Sequence, residues 1–252
     1  MKIGKVTVFT AVFAFVAAVA HAQNAVTIPK FKFIEAAKTP EEISTTLEIL
    51  FLFTVLTIAP SILVMTTSFA RIAIVLSFLR RALATQQTPP NNILNAMALI
   101  LTFMIMTPTW SRVYNDALGP YLDNEIPQQE AFTKGMTPIR EFMFNQVRKK
   151  DIQLFLDISK TTNVKTREDV PTMVLVPAFT VSELTRAFKM GFLIYLPFFI
   201  IDMVVASVLM SMGMMMLPPI LVSLPFKILM FVLVDGWNLV IAELVRSFYA
   251  GG

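Results

Sequence analysis

The ionisable side chains embedded in apolar sequence are the first candidates for chemistry in this chain. Four ionisable residues interrupt long stretches that are otherwise apolar; they are Asp202, Lys227, Asp235 and Glu243. A charged side chain is costly in hydrocarbon, so such a group normally faces a helix-bundle interior, a partner or water. Two interpretations stay open at this point: a relay for protons or ions, and ion pairs that fix the contacts between helices.

The sequence lacks the residues that most catalytic chemistry requires. The chain contains no cysteine, and its single histidine is His21. The absence of cysteine excludes disulfides and cysteine nucleophiles. His21 lies in the segment that is predicted below to be cleaved, so the mature chain would also lack the usual ligands of zinc and the commonest general base. The sequence also has no phosphate-binding glycine loop and no nucleophile elbow. We therefore expect a protein that is not an enzyme and that uses no metal or other cofactor.

A methionine-rich segment is the most unusual stretch of the sequence. Five methionines fall within the seven residues that begin at Met210, around Gly213 and just before Pro218 and Pro219. Methionine is unbranched and polarizable, so a cluster of methionines can seal against surfaces of varying shape. A ring of them would make a deformable gasket in a conduit for unfolded chains. The alternative is that they simply fill the end of a helix.

The composition indicates a membrane protein. Of the 252 residues, 56% are hydrophobic and 15% are charged, and the mean hydropathy is +0.68. A soluble domain is about 45–50% apolar and about 25% charged. The excess apolar surface needs lipid or a large helical assembly around it. The formal charge of +4 is modest and gives no reason to expect a nucleic acid partner.

The first 22 residues are typical of a cleavable signal peptide. Lys2 and Lys5 precede an apolar run from Val6 to Val19, and Ala20-His21-Ala22 provides a small-x-small cleavage pattern. This pattern predicts a mature start at Gln23 and a mature N-terminus outside the cytoplasm. The alternative is an uncleaved first membrane helix. A polar lead-in, residues 23–48, would follow.

Residues 49–110 are predicted to form a first helical hairpin. An uncharged run from Ile49 to Ala70 predicts a helix that is kinked at Pro60 and continues past Arg71. A second apolar run, Ile93 to Met106, predicts the return helix.

The turn of this hairpin carries both prolines and positive charge. Pro89 and Pro90 exclude a helix or strand interior. Arg80 and Arg81 lie close by, with no acidic residue between Arg71 and the turn. Because short cytoplasmic loops are enriched in Lys and Arg, the turn is predicted to be cytoplasmic, in agreement with an exported N-terminus.

Residues 111–189 are predicted to be a polar extracytoplasmic module, since eleven basic and ten acidic residues are mixed almost evenly through them. Its apolar residues would supply the small core of a helical subdomain; they are Phe142, Phe144, Val147, Ile152, Leu154 and Phe155.

Residues 190–250 are predicted to form a second hairpin that contains the methionine-rich loop. Met190 to Leu217 predicts one helix, softly broken at Pro197, and Ile220 to Phe248 predicts the other. Small side chains along this part would let helices approach one another closely; they are Gly191, Ala206, Ser207, Ser211 and Gly213.

Three longer segments resemble the FliP family of flagellar export-gate proteins, which are similar to the SctR-type subunits of injectisomes. The first is Arg80–Asn91 and the second is Pro177–Phe192. The third is a discontinuous set: Tyr195–Phe198, Ile201-Asp202, Gly213–Pro219, Leu224–Lys227 and Asp235–Trp237. The resemblance covers about Ile49 to Tyr249. Ala84 departs from it, because the family usually has glycine there. The amino-acid sequence of the turn resembles the flagellar proteins of this family more than the injectisome proteins.

The resemblance implies a core subunit of the flagellar type III export gate, in the inner membrane at the flagellar basal body. Such a subunit would assemble as a pentamer with FliQ- and FliR-type subunits and other export proteins, and it would form a channel for unfolded flagellar proteins. Met214, Met215 and Met216 match the family's constriction loop. Glu183 and Lys227 match positions that suggest contacts between subunits, and the two are plausible partners for each other across a subunit boundary.

The expected fold is therefore an all-α membrane protein in which two long kinked helical hairpins flank a small helical module, assembled as a helical oligomer. Three alternatives remain: an ion- or proton-coupled transporter that uses Asp202 and Asp235, the equivalent injectisome subunit, and, least supported, a membrane enzyme.

Overall fold

The computed structural model describes residues 40–85, 87–162, 164–214 and 216–249, and in these ranges the chain forms helices and no strands. The all-α prediction is confirmed for this part of the chain. The predicted signal peptide and residues 23–39 of the lead-in lie outside it. Two units are distinguished, Met1–Thr57 and Ile58–Gly252. The first contributes the beginning of the first helix, and the remaining helices belong to the second.

Nine α-helices are described, with a π-helical turn, Tyr114–Leu118, between the third and the fourth. They are α1 (Pro40–Thr66), α2 (Phe69–Ala82), α3 (Asn91–Val113), α4 (Gly119–Leu122), α5 (Gln128–Gln146), α6 (Lys149–Ile158), α7 (Thr172–Ser211), α8 (Pro219–Leu233) and α9 (Gly236–Tyr249).

The first apolar helix ends earlier than predicted, since the sequence predicted that it continues past Arg71. α1 continues through Pro60 and ends at Thr66, and α2 begins at Phe69. The hydroxyls of Thr66 and Thr67 donate hydrogen bonds to backbone carbonyls one turn earlier, at 2.8 and 2.7 Å. Hydroxyl side chains that bond the backbone in this way compete with the regular helical pattern. The break coincides with the run of three hydroxyl residues that ends at Ser68, although Thr54 and Thr57 make the same bond within α1 without ending it.

The third long helix begins earlier than its apolar run. α7 starts at Thr172, whereas the sequence predicted a start at Met190, and it ends at Ser211, where Leu217 was predicted. The segment 172–189 carries charges, yet one of its faces packs into the core of the polar module. The prediction from the length of the apolar run did not include residues 172–189, because the helix is amphipathic there.

The predicted last helix, Ile220 to Phe248, is in fact two helices that meet at an angle of 65°. Asp235 lies at the bend with a φ of 49°. The bend brings Gly236 against the ring of Phe231, since a Cβ on this glycine would lie 2.1 Å from Phe231 Cε2. The Asp-Gly pair is an ordinary turn signal, which the long apolar run concealed.

Three helical stretches are long and apolar enough to cross a membrane: Leu47–Thr66, Asn91–Leu122 and Thr172–Ser211. The bent pair of α8 and α9 makes a fourth if the two helices act as one span. The second stretch is longer than predicted, since α3 continues through Pro108 and passes through the π-helical turn into α4.

Two apolar clusters hold the second unit together. The larger one surrounds α2 and draws on α3, α7, α8 and α9; its largest fully buried side chains are Ile72, Val75, Leu76, Leu79 and Leu244. The smaller one belongs to the polar module and includes Phe142, Phe144, Val147, Ile152 and Phe155, as predicted. Leu154 was predicted there wrongly, because it is 50% exposed. The side of α7 that completes this cluster was missed; it contributes Val174, Leu175, Ala178 and Phe179.

Candidate functional site

A fully buried ion pair lies where four helices of the second unit meet. Arg71 of α2 and Glu183 of α7 both have side chains with no exposed surface. Arg71 Nε donates to Glu183 Oε2 at 2.9 Å, and Arg71 Nη2 donates to the other carboxylate oxygen. The pair is therefore bidentate, which is the strongest geometry for arginine and a carboxylate.

Polar groups from α5 and α9 complete the shell of Arg71. Its guanidinium donates to Ser247 Oγ at 2.9 Å and to Gln146 Oε1 at 2.9 Å, and it lies 3.8 Å from the centre of the Phe248 ring. Gln146 in turn accepts from Arg186 at 2.8 Å. A buried charge is tolerated only when its hydrogen-bonding groups are satisfied, so this cluster ties α2, α5, α7 and α9 together.

A second polar cluster connects α7 to α8. Lys227 Nζ lies 2.6 Å from Asp202 Oδ2, and Ser223 Oγ donates to Asp202 Oδ1 at 2.6 Å. The Lys227 side chain is 2% exposed and that of Asp202 is 19% exposed. Two of the candidate ionisable groups from the apolar helices are thus brought together as an ion pair.

The other candidate charges are distributed differently. Glu183 and Lys227 do not contact each other within the chain, since each has the partner given above. Asp235 is exposed at the bend between α8 and α9. Glu243 is exposed and pairs with Arg246 at 2.8 Å. In the ranges that the structure describes, no three acidic, histidine or cysteine side chains are grouped to hold a metal ion.

A third ionic cluster fixes α6 to α7 within the polar module. Asp151 accepts hydrogen bonds from Ser182 Oγ at 2.5 Å and from Arg148 Nε at 2.6 Å. Burial raises the pKa of the Asp151 carboxyl, but the hydrogen bonds from Ser182 and Arg148 outweigh burial and bring that pKa below its ordinary value. The group is therefore a buried carboxylate in its charged form.

The methionine-rich loop follows the end of α7. Gly213 has a φ of 74°, a conformation that favours glycine, and it turns the chain after the helix. Met214 is 40% exposed and Met216 is 98% exposed, while Met215 is outside the described residues. The loop therefore presents apolar, flexible side chains away from its own chain.

The turn between α2 and α3 is closed by an arginine. Arg80 donates to Pro89 O at 3.3 Å and to Asn91 Oδ1 at 2.6 Å. Ala84 has a φ of 59°, which is costly for a residue with a Cβ. A glycine at this position would adopt the same backbone conformation without that cost.

Comparisons with known proteins agree with one another. The sequence profile of the FliP family matches residues 52–244. The Flagellar biosynthetic protein FliP of Bacillus subtilis is 54% identical over 215 residues, which cover 85% of this chain and 97% of that protein. The protein of the same name from Caulobacter vibrioides is 52% identical over 79% of this chain and 75% of its own length. That of Borreliella burgdorferi is 48% identical, over 82% and 83%. The chain belongs to the FliP family.

Proposed function

We propose that this chain is a core subunit of the flagellar type III protein export gate and forms part of the channel through which unfolded flagellar proteins are secreted. Family membership supports the flagellar context, since the relatives compared above are flagellar biosynthetic proteins. The same relatives favour the flagellar system over the injectisome.

The observation that carries the proposal is the lack of cover on α7. In its most apolar 18-residue window, 11% of the residues are buried within the chain. Large apolar side chains line its exposed surface; among them are Phe188, Phe192, Leu193, Ile200, Met203 and Val208. Surface of this kind must face lipid or other subunits, and a helix of 40 residues is longer than the roughly 20 residues that a bilayer requires.

Assembly with sister chains and with FliQ- and FliR-type subunits would cover that surface. By analogy with the family we propose a pentamer, with the turn at Arg80, Arg81, Pro89 and Pro90 on the cytoplasmic side and the mature N-terminus outside. The assembly would lie in the inner membrane at the flagellar basal body.

Met214, Met215 and Met216 are proposed as the gasket at the constriction. The exposed methionines would meet those of neighbouring subunits around the path of the cargo and close it when no chain passes. Glu183, Lys227, Asp202 and Asp235 are proposed to fix helix positions at or near subunit contacts.

An ion- or proton-coupled transporter is the alternative function. It would use Asp202 and Asp235 as carriers. The pairing of Asp202 with Lys227 and Ser223 is a complete structural arrangement, so it gives the transporter no particular support.

The intact mass of the purified assembly distinguishes these functions. We expect extraction in mild detergent to yield a multi-subunit complex that contains FliQ- and FliR-type chains, and we expect deletion of the gene to abolish motility and flagellar protein export. A single chain that is fully competent in transport, or motile deletion cells, would refute the export-gate proposal.

A further inference from the structure

We propose that a cleft between the α2–α3 turn and the start of α8 binds the phosphate headgroup and the upper acyl chain of an anionic phospholipid. The cleft has a volume of about 320 Å³. One wall is basic and carries Arg80 and Arg81; the other is apolar and is formed by Ile220, Leu221 and Leu224.

The charge around the cleft is one-sided. Arg80 and Arg81 belong to the last turn of α2, and the sequence has no acidic residue from 72 to 115 or from 203 to 234. Of the acidic residues that flank these segments, Asp202 is already paired with Lys227. Two guanidiniums without a local counter-ion favour an anion, and arginine is suited to phosphate.

The two arginines have different roles. Arg80 already donates to Pro89 O and Asn91 Oδ1, which closes the turn. Arg81 is exposed and has no ion-pair or hydrogen-bond partner among the residues that the structure describes. Its guanidinium is therefore available to the ligand. Its position at a helix C-terminus complements the helix dipole, but that role uses none of its hydrogen-bond donors.

The apolar wall selects a lipid over a free anion. Ile220 and Leu221 are 53% and 64% exposed, directly beside the basic wall. A soluble phosphate or a nucleotide would gain nothing from these side chains, whereas a phospholipid places an acyl chain next to its phosphate. Basic pockets between membrane helices bind anionic headgroups for this reason.

Native mass spectrometry of the purified full chain tests the proposal. Phosphatidylglycerol and phosphatidylethanolamine are offered at equal concentration, and we expect preferential retention of phosphatidylglycerol. Arg81→Gln should reduce that retention about tenfold, which is the loss of one charge-assisted hydrogen-bonded contact. Leu221→Asn should weaken retention of both lipids, and its folding should be unaffected because the side chain is exposed. Lys150→Gln removes an exposed charge from α6 and is the matched control.

Several outcomes would overturn the proposal. Equal retention of the two lipids would remove the anion selectivity, and an effect of Lys150→Gln as large as that of Arg81→Gln would make the contact nonspecific. Full competition by glycerol 3-phosphate would show that the acyl chain is not recognised. A photoreactive side chain at position 221, activated in native membranes, should cross-link to phospholipid. Cross-linking to a polypeptide would assign the cleft to a protein partner. None of these measurements depends on export.

Discussion

At the residue scale, Arg71 has the largest fully buried side chain in the described part of the chain, and the cost of burying its charge is offset by Glu183. Replacing Glu183 with alanine leaves the guanidinium buried beside Gln146 and Ser247 without its counter-ion. Breaking a buried pair in this way costs about 3–5 kcal/mol. We therefore expect Glu183→Ala to lower the thermal unfolding midpoint strongly. The midpoint is measured as heat-induced loss of the monodisperse peak in detergent.

The pair of Arg112 and Glu141 provides the matched control, because both side chains are about half exposed, at 51% and 50%. An exposed pair contributes about 0–1 kcal/mol, so Glu141→Ala should change the midpoint little. The double substitution Arg71→Met with Glu183→Leu should recover part of the loss, since it removes both charges. Equal effects of Glu183→Ala and Glu141→Ala would contradict the role assigned to the buried pair.

Asp151 gives a prediction for pH. Its folded pKa is lowered by Ser182 and Arg148 against the effect of burial, so its contribution to stability is complete above the unfolded pKa of about 3.9 and is lost as the pH falls through the lower folded value. We expect Asp151→Asn to lower the unfolding midpoint at pH 7 and the difference from wild type to shrink below about pH 4. A difference that is constant between pH 7 and pH 3 would show that charge is not the cause.

Whether the sequence predicts these ion pairs depends on how far apart the two partners are along the chain. A charged residue in an apolar helix needs a partner, and this requirement singles out Asp202, Lys227 and Glu183. Asp202 and Lys227 are 25 residues apart on consecutive long helices, so their pairing is a short-range problem. Glu183 finds Arg71 across 112 residues. Arg71 was interpreted only as a topology signal, since nothing local distinguishes a buried arginine from one at a membrane surface.

At the scale of elements, the Asp202–Lys227 pair determines how α7 lies on α8. Lys227→Ala should lower the yield of folded and assembled protein more than Lys227→Arg, because only the alanine variant leaves Asp202 without a counter-ion. Yields are compared by size-exclusion chromatography of matched expression cultures. Equal yields of the two variants would remove the pairing role.

The packing of α2 on α7 depends on Gly191. A Cβ at this position would lie 2.6 Å from Phe78 Cγ. Overpacking of this kind lowers the free energy of unfolding by about 1–3 kcal/mol, so Gly191→Ala should lower the unfolding midpoint. Gly135→Ala is the control, since its Cβ would meet Ala117 Cβ at an ordinary 3.4 Å. That variant should be neutral or slightly stabilising, because alanine is a better helix former than glycine. If both variants behave alike, close approach at Gly191 is not what holds the helices.

The elements themselves could largely be predicted, and their ends could not. Long uncharged runs predict helices, but they do not show where these helices end. α1 passes through Pro60 and stops beside Thr66 and Thr67, whose hydroxyls bond the backbone. The bend at Asp235 and Gly236 depends on the packing of Gly236 against Phe231. Hydropathy registers neither of these breaks.

At the scale of the whole molecule, the chain buries its main ionic clusters and exposes a large apolar surface. Its ionic clusters are satisfied within the second unit, whereas most of the apolar face of α7 has no partner from the same chain. This is the reverse of a soluble monomer and is expected of a subunit whose interfaces are completed by lipid and by other chains. The sequence therefore predicted the need for neighbours, but the identity of each neighbour on each face depends on the assembly.

The methionine loop gives the prediction that belongs to the assembly. Glycine at positions 214, 215 and 216 removes the side chains that are proposed to meet across the channel, and it leaves the ionic clusters of Arg71 and Lys227 untouched. We expect assembly to persist and the membrane to leak ions and small solutes, measured as dye or ion flux in cells or proteoliposomes. Leucine at the same three positions conserves apolar volume and should keep the seal. A glycine variant that is as tight as wild type and exports normally would show that these methionines do not close the path.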